Sequence, residues 1–226
     1  MTCVALIPAR GNSKGIPKKN IKEIADKPLI AWSIEQALSA SEVDGVYVST
    51  DSQEIAEIAI KYGAQVPFIR PDEISDDFAS TESVMLHFVE WLEDQGKEFT
   101  ILALLQATSP VRLPKSLDNA IEYFKSTDSD SMVTTVPNHR FFWKCQPIVE
   151  ATYDFRNRPR RQDIKESDRL FMETGSFYLT KIEKLKESRN RLCGKICSFE
   201  LDEIESYEID SLADFTICEA LLRKYL

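Results

Sequence analysis

The sequence predicts an α/β fold, a three-layer sandwich whose mostly parallel sheet carries helices on both faces. Two patterns carry that prediction. Short, nearly continuous apolar runs recur along the chain, as strands buried on both faces require, and stretches with apolar residues every three or four positions alternate with them. Size agrees: 226 residues, 43% of them hydrophobic, suffice to bury roughly 70% of the extended chain's surface in one core.

Val4-Ala5-Leu6-Ile7 reads as the first buried strand, followed by a loop and a helix near 28–40 with Ile30, Ile34 and Leu38 on one face. Val46-Tyr47-Val48 is the next strand. Asp51, with Glu54 three residues on, resembles a capping box for a helix over 53–62. Val66-Pro67-Phe68-Ile69 reads as a short third strand, its proline favouring an edge. A helix at 81–94 leads to the strongest strand, Ile101 to Leu105, and a helix near 114–126 precedes the strand Met132 to Val136. The alternation breaks at about 138–172, and from Asn138 to Arg161 six basic residues, among them Arg160 and Arg161, interleave with Phe141, Phe142, Trp143, Tyr153 and Phe155. This reads as an arm inserted into a single domain. Strands at 177–179 and 196–201 and a helix from about 211 complete the chain. In such sheets ligands bind beyond the carboxyl ends of the strands, which selects the loops 8–20, 49–51, 70–81 and 106–112.

Net charge is −9, from 28 basic and 37 acidic residues, which argues against nucleic acid as a partner. The distribution is uneven. Residues 1–22 hold Arg10, Lys14, Lys18, Lys19 and Lys22 and no acid, a cationic concentration suited to a small anion. No apolar run approaches the ~20 residues of a membrane span, and the first ten residues are too short for a signal peptide, so the expected location is cytoplasmic. Five cysteines, in no metal-ligand spacing, are expected to be free thiols.

The most informative segment is Arg10-Gly11-Asn12-Ser13-Lys14-Gly15-Ile16-Pro17-Lys18-Lys19-Asn20. Its two glycines allow the backbone N–H groups to face an anion, and Arg10, Lys14 and Lys19 add charge. It is neither G-x-G-x-x-G nor a P-loop. Read from spacing alone, it is either a phosphate-binding loop or a solvated basic turn.

The wording of this segment resembles the signature of the acylneuraminate cytidylyltransferases (CMP-sialic acid synthetases). Further matches run in order along nearly the whole chain: Val48-Ser49-Thr50-Asp51, Phe68-Ile69-Arg70-Pro71, Asp77-Phe78-Ala79-Ser80-Thr81, Leu104-Leu105-Gln106-Ala107-Thr108-Ser109-Pro110, Arg158 to Asp163, Glu173 to Tyr178 and Glu208-Ile209-Asp210. The resemblance implies a Rossmann-like nucleotidyltransferase sheet with a small dimerisation arm. It also implies an enzyme that joins a nine-carbon α-keto acid sugar to CMP, the anomeric hydroxyl attacking the α-phosphorus of CTP and releasing pyrophosphate. Arg10, Lys14, Lys19 and Asn20 match triphosphate-cradling positions, and Arg70, Ser80 and Thr81 match nucleotide contacts, although either hydroxyl suits a helix cap at 81 as well. Gln106 matches a sugar contact.

Arg160 and Arg161 lie where the family's arm reaches over the partner's site in a homodimer, and an arginine there suits the sugar's carboxylate. The run Phe141-Phe142-Trp143 agrees with such an interface. Glu208 and Asp210 point to one face of an extended segment and match a Mg²⁺ (or Mn²⁺) site; the family usually has Asp at both positions, so Glu208 is the less firm ligand. Asp210 alternatively caps the last helix. Leu192-Cys193 replaces an aromatic pair common near the acyl group, so a pocket around Phe177, Tyr178 and Leu192 is expected to set specificity. Legionaminic, pseudaminic or deaminated acids stay open as substrates. The rivals are a cytidylyltransferase for the eight-carbon acid Kdo and a non-catalytic sugar-nucleotide-binding protein.

Overall fold

The computed structural model describes residues 1–13, 15–76 and 78–226. Among these described residues there are ten strands: β1 (Cys3–Pro8), β2 (Glu23–Ile24), β3 (Lys27–Pro28), β4 (Gly45–Ser49), β5 (Ile101–Leu105), β6 (Ser131–Asn138), β7 (Trp143–Lys144), β8 (Glu150–Ala151), β9 (Leu170–Lys181) and β10 (Ile196–Glu200). Six α-helices accompany them: α1 (Leu29–Ser39), α2 (Gln53–Lys61), α3 (Thr81–Asp94), α4 (Ser116–Ser126), α5 (Ile182–Ser188) and α6 (Leu212–Tyr225).

The main sheet has six strands in the order β10-β6-β9-β5-β1-β4. Strand β1 pairs in parallel with β4 and β5, and β10 in parallel with β6. Only β9 runs against its neighbours, so the sheet is mostly parallel, as expected. Successive residues of a strand face opposite sides, and both sides of β1 are buried. Cys3, Ala5 and Ile7 pack with Ile30 and Ile34 of α1, Ile55 of α2 and Phe124 of α4. Val4 and Leu6 pack with Met85 and Phe88 of α3 and Leu185 of α5 on the other face. This is the three-layer arrangement, and it explains why the strands read as unbroken apolar runs. A third cluster joins α6, through Phe215, Cys218 and Leu222, to Ile16, Leu29 and Ile209. It draws the C-terminal segment against the loop after β1.

The sequence reading needs correction at several elements. The run 66–69 is not a strand; the chain there forms the isolated bridges Tyr47–Gln65 and Thr50–Ile69 at either end of the run. Asp51 does not cap α2. Ser52 does, its hydroxyl accepting from Ile55 N at 3.4 Å. Helix α5 and the small β2–β3 hairpin were missed, because seven and two-plus-two residues carry too little periodicity. Between β6 and β9 the chain leaves the core. These two strands continue past the other strands, pairing Pro137 with Phe171 and Asn138 with Leu170, and β7–β8 forms a separate two-stranded ribbon.

Opposite β6, strand β9 carries a large irregularity. Val133 pairs with Tyr178 and Thr135 with Glu173, so Thr134 alone faces residues 174–177. On its other side β9 stays in register with β5 as far as Phe177, opposite Leu105.

Candidate active site

Sheet order reverses at β1, whose following strands lie to either side, and a crevice opens at that switch point. There a cavity of about 490 Å³ is lined by Pro8, Arg10, Ser13, Gly15, Lys19 and Asn20 from the loop after β1, and by Gln106, Ala107 and Thr108 from the loop after β5. Arg70, Ser75, Asp76, Ser80 and Thr81 form its third wall, and Asp210 closes it. Three of the four loops chosen from the sequence meet here.

Each wall is fixed by bonds that cross between elements. Asn20 is buried and donates its side-chain amide to Arg10 O at 2.9 Å, which sets the backbone that carries Arg10. Gly11 N donates to Asp51 Oδ1 at 2.8 Å, and the same oxygen stands 3.8 Å from the Arg70 guanidinium. Asp51 therefore ties the first loop to the third wall, a different task from the predicted cap. Arg70 also donates from Nε to Ser75 Oγ at 3.1 Å. Burial lowers its pKa despite Asp51, and the charge of Arg10 acts in the same direction. Two cations held this close favour an anion between them.

Lys19 donates to Ile209 O at 2.6 Å and lies 3.7 Å from Asp210, so the ammonium bridges the first loop and the C-terminal segment. A Cβ on Gly15 would meet Asp210 O at 3.0 Å; the loop needs glycine there to pack so closely. Ser80 caps α3, accepting from Ser83 N at 3.1 Å. The N-terminus of this 14-residue helix thus faces the cavity and adds a favourable field for negative charge.

The C-terminal segment divides its two carboxylates. Asp210 keeps a side chain 79% exposed. It is not a cap, because Ser211 takes that role with Asp214 in a capping box. Glu208 turns inward and accepts from Thr108 Oγ1 at 3.0 Å. Burial raises its pKa against the opposing pull of that hydroxyl, and the Asp210 charge raises it further. Its Oε2 lies 3.2 Å, and Gln106 Oε1 3.5 Å, from where a Gly175 Cβ would stand.

A part-enclosed cleft with three cations, a helix N-terminus and one neutral amide suits a triphosphate beside a polar second substrate. Comparisons with known proteins agree. Residues 4–143 match the family model described as cytidylyltransferase. The chain belongs to the cytidylyltransferase family. It is 36% identical to an N-acylneuraminate cytidylyltransferase A of Danio rerio over 98% of this chain and 51% of that protein. It is also 36% identical to a pseudaminic acid cytidylyltransferase of Campylobacter jejuni over 79% of this chain and 78% of that one. The chain therefore spans about half the length of the first relative. The fold also matches a CMP:2-keto-3-deoxy-manno-octonic acid synthetase solved with CTP, with a TM-score of 0.73, 18% identity and full coverage of both chains.

Of the residues singled out from the sequence of this cytidylyltransferase, Arg10, Lys19, Asn20, Arg70, Ser80, Thr81, Gln106 and Asp210 line the cavity. Glu208 sits behind its wall on Thr108. Lys14 lies outside the described residues. Arg160 and Arg161 are on the arm, lining a separate hollow with His139 and Phe141; Arg160 pairs with Asp163 through both Nε, at 2.6 Å, and Nη2, at 3.1 Å.

Tyr178 is a correction. It is buried in the core beneath α3, donates its hydroxyl to Glu173, and does not line the cavity. Burial, then Glu173, pushes its pKa up. Of the three residues expected to surround the acyl group, Phe177 packs on one face of the sheet and Tyr178 and Leu192 on the other.

Sequence reasoning missed Ser13, Ser75, Asp76 and Thr108 in the lining, and Arg112 beneath it. Asp76 carried a signal: it accepts from Phe78 N at 2.9 Å and Ala79 N at 2.7 Å, the local turn that an aspartate side chain favours.

Proposed function

We propose that this cytidylyltransferase activates a nine-carbon α-keto acid sugar, N-acetylneuraminate or a close relative, with CTP, giving the CMP-sugar and pyrophosphate. The observation that carries the reading is the meeting of Arg10, Lys19 and Arg70 with the neutral amide of Gln106 in the lining of a single cavity. The reaction asks for positioning and charge neutralisation. Arg10 and Lys19, with Lys14, would offset charge on the departing pyrophosphate. Arg70, Asn20, Ser80 and Thr81 would hold the nucleotide, and Gln106 would orient the acceptor. Tyr178, being buried with its hydroxyl engaged, keeps no substrate role in this reading.

A divalent metal fits the donors. Among the described residues no group of three or more His, Cys, Asp or Glu could hold an ion, and the C-terminal segment offers the two carboxylates of Glu208 and Asp210. That donor set is typical of Mg²⁺ sites completed by phosphate oxygens and water. Asp210, exposed in the cavity, would hold Mg²⁺ (or Mn²⁺), and Glu208 would support it from its bond to Thr108. When bound, the metal supplies charge neutralisation at the triphosphate.

The reading extends to a homodimer. Phe142, Trp143, Phe155, Leu170 and Phe171 are exposed along the arm, more apolar surface than a lone subunit usually shows. A partner's Arg160 or Arg161 would then approach the acceptor's carboxylate. A cytoplasmic location fits five free cysteines, and no helix among the described residues is long and apolar enough to cross a membrane.

The test is pyrophosphate release from CTP and Mg²⁺ with N-acetylneuraminic, deaminated, legionaminic, pseudaminic and Kdo acids in turn. Release with a nine-carbon acid supports the proposal and names the substrate. Release with Kdo alone transfers the reading to the eight-carbon reaction. Silence throughout, with CTP bound, leaves a sugar-nucleotide-binding protein.

A further inference from the structure

Arg112 is 2% exposed and heads the largest fully buried side chains. Among the described residues no carboxylate is hydrogen-bonded to it, although the charge of the buried Glu205 acts on it. Its Nη1 donates to Ser33 Oγ at 2.9 Å and Gln36 Oε1 at 3.0 Å on α1. Its Nη2 donates to two backbone carbonyls, Gln106 O at 2.8 Å and Ser176 O at 2.6 Å. A cation is costly to bury, and with Glu205 offsetting its charge only from beyond hydrogen-bond contact, the guanidinium depends for its hydrogen bonds on the neutral groups around it.

Gln106 O lies just past the end of β5, and Ser176 O lies within β9 where that strand departs from regular pairing. Residues 174–177 bulge out opposite Thr134, so they lose their ladder partners on β6. Side chains replace that ladder. Thr134 Oγ1 donates to Phe177 O at 2.8 Å, the Thr134 and Thr174 hydroxyls bond at 2.7 Å, and Ser176 N donates to Thr174 Oγ1 at 3.2 Å. Ser176 O accepts from Gln106 N at 3.1 Å as well as from Arg112. The bulge brings Gly175, at φ 66°, against Gln106 and Glu208. Bulges beside active sites serve to re-aim groups in this way.

We propose that Arg112 is a positioning residue for the acceptor side of the site. By holding Gln106 O and Ser176 O together, and both against α1, it fixes the β9 bulge and the direction of the Gln106 amide. The nucleotide side has its own supports, Asp51 and Asn20, which Arg112 does not touch. The consequence for turnover rests on the acceptor role proposed for Gln106; the consequence for backbone order does not.

Arg112→Lys keeps the charge and loses the planar fork that serves four acceptors. Two readouts apply, each relative to wild type. The first is amide hydrogen exchange at Gln106 in the folded variant, expected to speed by about tenfold, the effect of one lost bond to a charged donor. The second is steady-state kinetics with whichever acid the wild type accepts, the KM for that acid expected to rise about tenfold while the Kd for CTP stays within about threefold. Unchanged exchange at Gln106 overturns the inference, as does a parallel rise of the acid's KM and the CTP Kd. If Arg112→Lys does not fold, Ser33→Ala removes one acceptor from the same guanidinium. It is expected to show the same selective change at about threefold, and its absence overturns the inference equally. If the wild type accepts no acid in the panel, the proposed function fails, and exchange at Gln106 still decides the role of Arg112.

Discussion

Asp51 offers a test in which two electrostatic effects oppose one another. Its Oδ1 both accepts from Gly11 N and faces Arg70 at 3.8 Å, and the pair is largely buried, with side chains 18% and 4% exposed. Removing the carboxylate charge leaves Arg70 uncompensated and free to attract phosphate. At an effective dielectric near 20, one unit charge roughly 7 Å away contributes about 2 kcal/mol, so this effect alone tightens CTP binding. Removing the acceptor releases the Gly11 loop and weakens binding. Asp51→Asn changes the charge and keeps an acceptor for Gly11 N; Asp51→Ala loses both. A neutral hydrogen bond contributes about 1 kcal/mol net, which is about fivefold in affinity. Calorimetric titration with CTP should therefore give a Kd for Asp51→Ala about fivefold above that of Asp51→Asn, and Asp51→Asn at or below wild type. Equal Kd values for the two variants would refute the anchoring argument.

Other perturbations have defined outcomes. Arg10→Ala should lower kcat by about 10²-fold through lost charge stabilisation, read by pyrophosphate release at saturating substrates. Asp210→Asn should raise the Mg²⁺ concentration for half-maximal activity; its helix keeps Ser211 as cap, so melting should not move. Trp143→Asp should shift the oligomer towards monomer in sedimentation if the arm pairs two subunits. Asp118 has a lowered pKa: burial raises it, but the Glu42 N–H, Lys115 and Ser41 together outweigh that. A depressed carboxyl stabilises the fold above the unfolded pKa of about 4 and loses that contribution as pH falls through the folded value. Melting temperatures across pH 2–7 should show a shallower acid limb in Asp118→Asn than in wild type.

Arg10 and Gln106 were legible in the sequence because each closely follows an unmistakable apolar strand, where the fold class itself directs ligands, and Lys19 because it lies in the basic loop after β1. Asp210 was legible only through the resemblance. Tyr178 was misplaced because alternation along a strand says which residues share a face, but not which face meets the cavity. The bulge at 174–177 shifts that alternation without marking it in the residue pattern. Arg112 follows a Ser-Pro turn and reads as an exposed loop charge; only the closing of α1, β5 and β9 around it makes it a buried brace.

The sequence by itself determined the layers, since apolar runs and helical periods are local patterns that hydrophobic burial converts directly into strands and covering helices. It also determined where charge would gather, in the loop after β1. Tertiary structure alone decided which partners those groups have. Asp51 became an anchor for Gly11 instead of a cap, Glu208 turned to Thr108, and Ile209 came to accept from Lys19. These bonds join residues 40, 100 and 190 positions apart. Hydrogen bonding is short-ranged and directional, so its pairings exist only once the core has fixed the distances.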